Sequence, residues 1–217
     1  MTHKIHPKIF RIGETKNWDS KGFYEKDFAS FLREDYEIRS LLRKLLREMS
    51  VEKIEIERSS EEIGVTIYSS RPGLIIGRGG EGVKVLKEKL EKKLASISKK
   101  DDKKRIRLEI KEIKDPWLSA TLVAQDIAGQ LEKRIPYRKV VKQALHKIAM
   151  HKKEVKGVRI QVSGRLNGIE IARSEYFQEG QLKRETIRGN IDYGFEMAKC
   201  SYGAIGIKVF IYKGENF

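Results

Sequence analysis

One cysteine, four prolines and two tryptophans among 217 residues already exclude several kinds of protein. Cys200 alone permits no internal disulfide, and one thiol with four histidines is too little for a structural zinc site. Cys200 reads as a small, partly buried residue in a reducing cytoplasm. His3 and His6 read as exposed tail, so no metal and no cofactor is expected. No apolar stretch approaches the roughly 18 residues of a membrane-spanning helix. The N-terminal Met1-Thr2-His3-Lys4-Ile5-His6 has no apolar core of the kind a secretory signal needs. Catalytic groupings are also missing. No serine sits in a nucleophile motif, and neither His146 nor His151 has an evident carboxylate partner, so an enzyme is not expected. Acids are outnumbered: 31 Asp and Glu stand against 46 Lys and Arg, for a formal charge of +15 and a pI near 9.7. That imbalance implies a polyanionic partner, with nucleic acid ahead of a membrane surface.

What is present centres on Arg71-Pro72-Gly73-Leu74-Ile75-Ile76-Gly77-Arg78-Gly79-Gly80-Glu81-Gly82. Gly77 to Gly80 form a G-x-x-G loop, in which no side chain at either glycine keeps a phosphate backbone away from the main chain. A helix opening near Gly80 adds free N–H groups and a positive dipole end. This is the loop of the KH module, which clamps single-stranded nucleic acid. The candidate contacts are Arg71, Gly77, Arg78, Gly79 and Gly80. Gly77, Gly79 and Gly82 also spell G-x-G-x-x-G, the dinucleotide fingerprint, with Asp101 and Asp102 near the expected spacing. That motif needs a strand running straight into its first glycine. Here the strand-like Val65-Thr66-Ile67-Tyr68 ends early, and Pro72 suits the start of a helix.

Taken in order, residues 1–25 read as an irregular tail that joins basic Lys4, Lys8 and Arg11 to aromatic Trp18, Phe23 and Tyr24. Such a tail suits RNA through charge and stacking. Residues 26–49 read as a helix with Ile38, Leu41, Leu42 and Leu45 at three-to-four spacing. Ile54 to Ile56 and Val65 to Tyr68 alternate as strands. Val83, Leu86, Leu90, Leu94 and Ile97 mark a second long helix, and Ile106, Leu108 and Ile110 a third strand. The predicted order over 26–114 is α-β-β-α-α-β, a type II KH domain. Asp115-Pro116 marks a boundary and a helix start. Residues 115–217 then read as a second α+β domain, two helices on a mostly antiparallel sheet. Its helices run to about Ile135 and from about Tyr137 to Lys152. Val158 to Val162 form a strand, Ile169 and Ile171 its return, Ile187 and Ile191 a third, and Ile205 to Ile211 the clearest.

Charge concentrates between Leu131 and Arg159, where ten Lys and Arg meet two acids. At about 100° per residue, Arg138, Lys139, Lys142, His146 and Lys153 share one arc of the helix after Pro136. Val140, Val141, Ala144, Leu145 and Ile148 lie opposite. A solvated face normally mixes signs, because like charges four apart destabilise a helix. This one has no acid between Lys133 and Lys153, which points to polyanion binding.

Beyond these patterns, the sequence resembles a known family over nearly its whole length: the bacterial small-subunit ribosomal protein three family, the KH proteins of the subunit head. His3-Lys4-Ile5-His6-Pro7 with Arg11-Ile12-Gly13 is similar to the family's basic tail, and Arg71 to Gly77 with Gly80-Glu81 to its KH loop. Val162 to Arg173 matches its most distinctive segment, and Ile191-Asp192-Tyr193 and Tyr202 to Ile211 complete the pattern. The resemblance implies a cytoplasmic structural protein of the small ribosomal subunit that binds its rRNA, and neighbours resembling small-subunit proteins ten and fourteen. It implies messenger RNA (mRNA) contact by Arg138, Lys139 and Lys142 where messenger enters the subunit. It further suggests rRNA contact by Lys4, Lys8, Arg11, Lys133, Arg134, Arg165 and Arg173. Residues Leu182 to Thr186 depart from the family's usual pattern. So do Arg78 and Gly79, where relatives carry two lysines. A KH-type regulator outside the ribosome is the other reading.

Overall fold

The computed structural model describes residues 5–14, 16–22, 28–59, 62–97, 105–151 and 154–215. The chain forms two compact units, Trp18–Lys114 and a second made of Met1–Asn17 with Asp115–Phe217.

In the first unit, β1 (Ser20–Gly22) precedes α1 (Phe28–Leu45), β2 (Val51–Arg58) and β3 (Glu62–Ser69). A short α2 (Pro72–Ile76), a 3-10 turn (Arg78–Gly80), α3 (Glu81–Ile97) and β4 (Arg105–Glu112) follow. The sheet order is β1-β2-β3-β4, antiparallel between β2 and β3 and parallel at both flanks. From α1 to β4 this is the α-β-β-α-α-β order of a type II KH domain. Strand alternation turns Ile54, Ile56, Ile63, Val65, Ile67 and Ile106 to one face. There Ile38, Leu42 and Leu46 and, from α3, Leu86, Leu90 and Leu94 cover them. Truncating a buried leucine of this kind costs about 2–5 kcal/mol. Arg58 is buried at the end of β2. Its Nε donates to Asp35 at 2.7 Å and its Nη1 to Glu34 at 2.7 Å, both carboxylates being themselves buried on α1.

In the second unit, 3-10 turns at Ile9–Arg11 and Pro116–Leu118 precede α4 (Ala120–Glu132) and α5 (Tyr137–Ala149). A third turn, Leu166–Gly168, separates β5 (Gly157–Gly164) from β6 (Arg173–Gly180); β7 (Gly189–Cys200) and β8 (Gly203–Glu215) follow. The sheet runs β6-β5-β8-β7 and is antiparallel throughout. Val158, Ile160, Val162, Ile207, Val209 and Ile211 turn toward α4 and α5 and form the larger core with them.

The structure corrects the sequence expectations at several places. The described residues of the 1–25 tail are not one irregular stretch: those up to Asn17 group with the second unit, while β1 adds a parallel edge strand to the first sheet. Asp115 and Pro116 open a 3-10 turn, and α4 is capped by Ser119, whose Oγ accepts from the Leu122 N–H. A remote residue completes that cap, because the buried Asp192 accepts from the Ala120 N–H at 2.8 Å. Ile169 and Ile171 are exposed connection, not the returning strand. Asn167 and Gly168, at φ +54° and +79°, coil the chain locally, so the reversal finishes only at Arg173. Ile187 precedes its strand and Ile191 lies in it.

Candidate nucleic-acid interface

Ser69 closes β3 with its hydroxyl donating to the Met49 carbonyl at 2.8 Å, and it accepts the Arg71 N–H at 3.0 Å. Pro72 then opens α2, which sinks Ile75 into the core and leaves Leu74 and Ile76 exposed. Gly77, at φ +70°, ends that helix. Gly79 and Gly80 also take positive φ, +60° and +78°, where L side chains are disfavoured. One turn on, a Cβ at Gly82 would lie 2.4 Å from the Ile75 carbonyl, so the two helices approach backbone to backbone. The loop from Gly77 to Gly80 is thus held by helices on both sides. It presents the first-turn N–H groups of α3 beside the exposed cation Arg78, and Arg71, also exposed, precedes α2. Of the five residues assigned to this site, Gly77, Arg78, Gly79 and Gly80 share one loop, while Arg71 stands at the opposite end of α2. An entire helix separates β3 from Gly77, which removes the geometry of a dinucleotide fold.

The second basic feature is α5. Tyr137, Val140, Val141, Ala144, Leu145 and Ile148 are buried, while Arg138, Lys139, Lys142 and His146 are exposed along the other side. Lys153 lies outside the described residues, as do Lys4, Phe23 and Tyr24. Arg138 is not a free cation. Its Nη2 lies 3.3 Å from the Glu175 carboxylate on β6, and its Nε donates to the Tyr137 hydroxyl at 3.0 Å. Tyr137 in turn donates to Glu175 at 2.9 Å. That hydroxyl, and then the Arg138 charge, hold the Glu175 carboxyl below the usual carboxylate range. Nothing in the order of residues signals Glu175, because 37 positions separate it from Arg138 and only the β5–β6 register brings it there. Lys139 and Lys142 make no ion pair among the described residues. At the preceding turn, Lys133 caps the end of α4 and Arg134 takes φ +62°; both are exposed.

The remaining candidates divide. Arg11 is 1% exposed. Its guanidinium donates to four carbonyls, those of Pro7, Arg184, Thr186 and Gly189, at 2.7 to 3.1 Å. It is a strut that joins the N-terminal segment to the approach to β7, and it has no face left for RNA. Burial also lowers its pKa, although a guanidinium so far above neutrality remains charged. Lys8 lies 4.0 Å from Asp192. Arg165 closes its own turn, donating to the carbonyls of Ile169 at 3.1 Å and Tyr202 at 3.4 Å. Arg173 stands exposed at the start of β6. Among the described residues, no group of three or more His, Cys, Asp and Glu could hold a metal ion, and no helix is long and apolar enough to cross a membrane.

A KH unit with an open glycine loop, followed by an α+β unit with a cationic helix face, defines a KH-domain protein of the RNA-binding class. The KH domain family model matches residues 37–118, and that of ribosomal protein S3, C-terminal domain, matches residues 127–211. The small ribosomal subunit protein uS3 of Caldicellulosiruptor saccharolyticus is 46% identical over 216 residues, covering 99% of this chain and 93% of the relative. That of Geotalea daltonii is 45% identical over 215 residues, covering 99% and 98%. That of Clostridium botulinum is 45% identical over 216 residues, covering 99% and 93%. The chain belongs to the ribosomal protein uS3 family, which is a family of ribosomal structural proteins and not of enzymes.

Proposed function

We propose that the chain is a structural protein of the small ribosomal subunit head in the cytoplasm, where it binds small-subunit rRNA and guides mRNA at the point where messenger enters. Relatives that align over nearly the full chain carry the name of a small-subunit protein, and this supports the ribosomal placement. The observation that carries the messenger role is the outward face of α5, where Lys139 and Lys142 stand unpaired beside Arg138. Cations that neutralise phosphates release counterions on contact, which favours binding. Lys133, Arg134 and Arg173 are the further exposed cations assigned to rRNA. The loop Arg71 to Gly80 offers main-chain donors to a single strand. Neighbours resembling small-subunit proteins ten and fourteen complete the proposed setting.

Two measurements test this. The tagged chain should sediment with small subunits after a high-salt wash; recovery only in the soluble fraction would replace the ribosomal reading with a free KH-type regulator. Changing Arg138, Lys139 and Lys142 together to Ala should leave assembly intact and weaken engagement of messenger. If those particles fail to assemble instead, the face binds rRNA and the messenger assignment falls.

A further inference from the structure

The second unit packs α4 and α5 on one face of its sheet, and residues before β7 cover part of the other. Leu182 closes a small cluster there with Ile191, Tyr193, Phe210 and Tyr212. The rest of that outward face is uncovered among the described residues. The strand register orders it into rows. One row runs Gln178, Arg159, Phe210 and Tyr193; the next runs Tyr176, Gln161, Lys208 and Phe195. A third brings Ser174, Ser163, Gly206 and Met197 side by side. Side-chain contacts place these groups on one face: Gln161 donates to Ser174 at 3.0 Å, and Tyr193 and Phe210 pack ring to ring at 4.9 Å.

The chemistry of this face is one-sided. No carboxylate occurs in the three rows. Tyr176 and Phe195 are 60% and 51% exposed and share one row of this face. The Arg159 guanidinium carbon lies over the Tyr176 ring, 3.9 Å from its centroid, and the Nε is buried without an acceptor among the described residues. Arg184 reaches over Phe210 from the adjoining loop. Its charge, after burial, helps hold the Arg159 pKa down. Lys208, on the strand between Gln161 and Phe195, makes no ion pair among the described residues.

We propose that this face is a second RNA-binding surface, which stacks single-stranded bases on Tyr176 and Phe195 and holds their phosphates with Lys208, Arg159 and Arg184. Exposed rings on a four-stranded antiparallel sheet, flanked by cations and amides, are a recurrent platform for two or three unpaired bases. Tyr176 and Phe195 lie three strand spacings apart, about 14 Å, which leaves room for such a run. A protein partner would need acids to match these cations, whereas RNA supplies a negative charge at each phosphate and a flat apolar base for each ring. The surface uses none of the α5 cations, so it stands or falls separately from the messenger role proposed above.

Fluorescence anisotropy with a labelled ten-nucleotide oligouridylate and the full chain tests this, in a background where Arg138, Lys139 and Lys142 are Ala. Tyr176→Ala and Phe195→Ala should each weaken binding about tenfold, the usual scale for losing one stacked base. Tyr176→Phe should bind as the parent does, since it retains the ring. Lys208→Ala should lower the salt slope of log Kd by about 0.7. Should Tyr176→Ala alter folding, seen as a lowered Tm, the Phe195→Ala and Lys208→Ala pair decides. Unchanged affinity in both ring variants overturns the proposal, as does a background protein that binds no oligouridylate. If the ring variants keep RNA affinity but release a neighbouring protein from the particle, the face is a protein interface and the proposal is wrong.

Discussion

The glycine loop of the first unit and the cationic face of α5 in the second offer RNA two different things. The loop offers shape. Gly77, Gly79 and Gly80 hold positive φ, Gly82 lets α2 and α3 meet backbone to backbone, and the donors are main-chain N–H groups. The helix offers charge. Its backbone is satisfied internally, its apolar side is buried, and Arg138, Lys139 and Lys142 present side chains to solvent. The loop should therefore be sensitive to any added Cβ and little affected by salt, the helix the reverse. A site made of backbone fails when its geometry fails, and a site made of lysines fails in proportion to the charges removed.

The sharpest way to break this comparison is Gly82→Val. With the Ile75 carbonyl 2.4 Å from the new Cβ, α2 and α3 must separate. A loss of about 1–3 kcal/mol is expected, the range for overpacked sites, readable as a lowered denaturation midpoint. Next comes the triple Ala replacement of Arg138, Lys139 and Lys142. The salt slope for single-stranded RNA should fall by about 2, near 0.7 per contact, while stability stays within about 0.5 kcal/mol per site. An unchanged slope would show that α5 is a solvated face. Gly79→Lys then asks whether the loop can be made to behave like the helix. Nothing lies within 4 Å of a Cβ there, but φ is +60°. About 1–2 kcal/mol of backbone strain should accompany a slope steeper by about 0.7.

The smallest effect belongs to Glu175→Gln, which frees Arg138. A gain of about twofold in oligonucleotide affinity at low salt is expected, small because solvent screens the pair. The pH dependence has a definite sign. The folded pKa of Glu175 is lowered, so its pairing is present above the ordinary glutamate range and is lost as pH falls through that lowered value. The affinity gap between wild type and Glu175→Gln should thus persist through pH 5 and close only below the ordinary range.

Much of this was legible in advance, and the reasons are local. Alternation in Ile54–Ile56 and Val65–Ile67, periodicity in Leu86, Leu90 and Leu94, and the division of α5 into Val140, Val141 and Ala144 against Arg138, Lys139 and Lys142 all follow from residue spacing. Each concerns groups within one or two turns of each other. Arg11 shows where that reasoning stops. In sequence it is one cation of a basic tail; in the fold it donates to carbonyls more than 170 residues away and is lost to RNA. Arg58 shows the same limit, since its two carboxylates sit on another element. Ile169 and Ile171 look like a strand by alternation but lie in a connection, because the turn at Asn167 and Gly168 delays the reversal.

Composition, periodicity and the glycine spacing determined a basic KH protein with a second α+β unit and a one-sided cationic helix. These are properties of neighbours along a chain, governed by side-chain period and backbone freedom. Which cations remain available was decided only by tertiary structure. Burial bound Arg11 to carbonyls, the β5–β6 register carried Glu175 to Arg138, and four antiparallel strands laid Arg159, Tyr176, Lys208 and Phe195 on one face. The free energy of a charge depends on what faces it across space, and strand pairing sets that at separations no local pattern encodes.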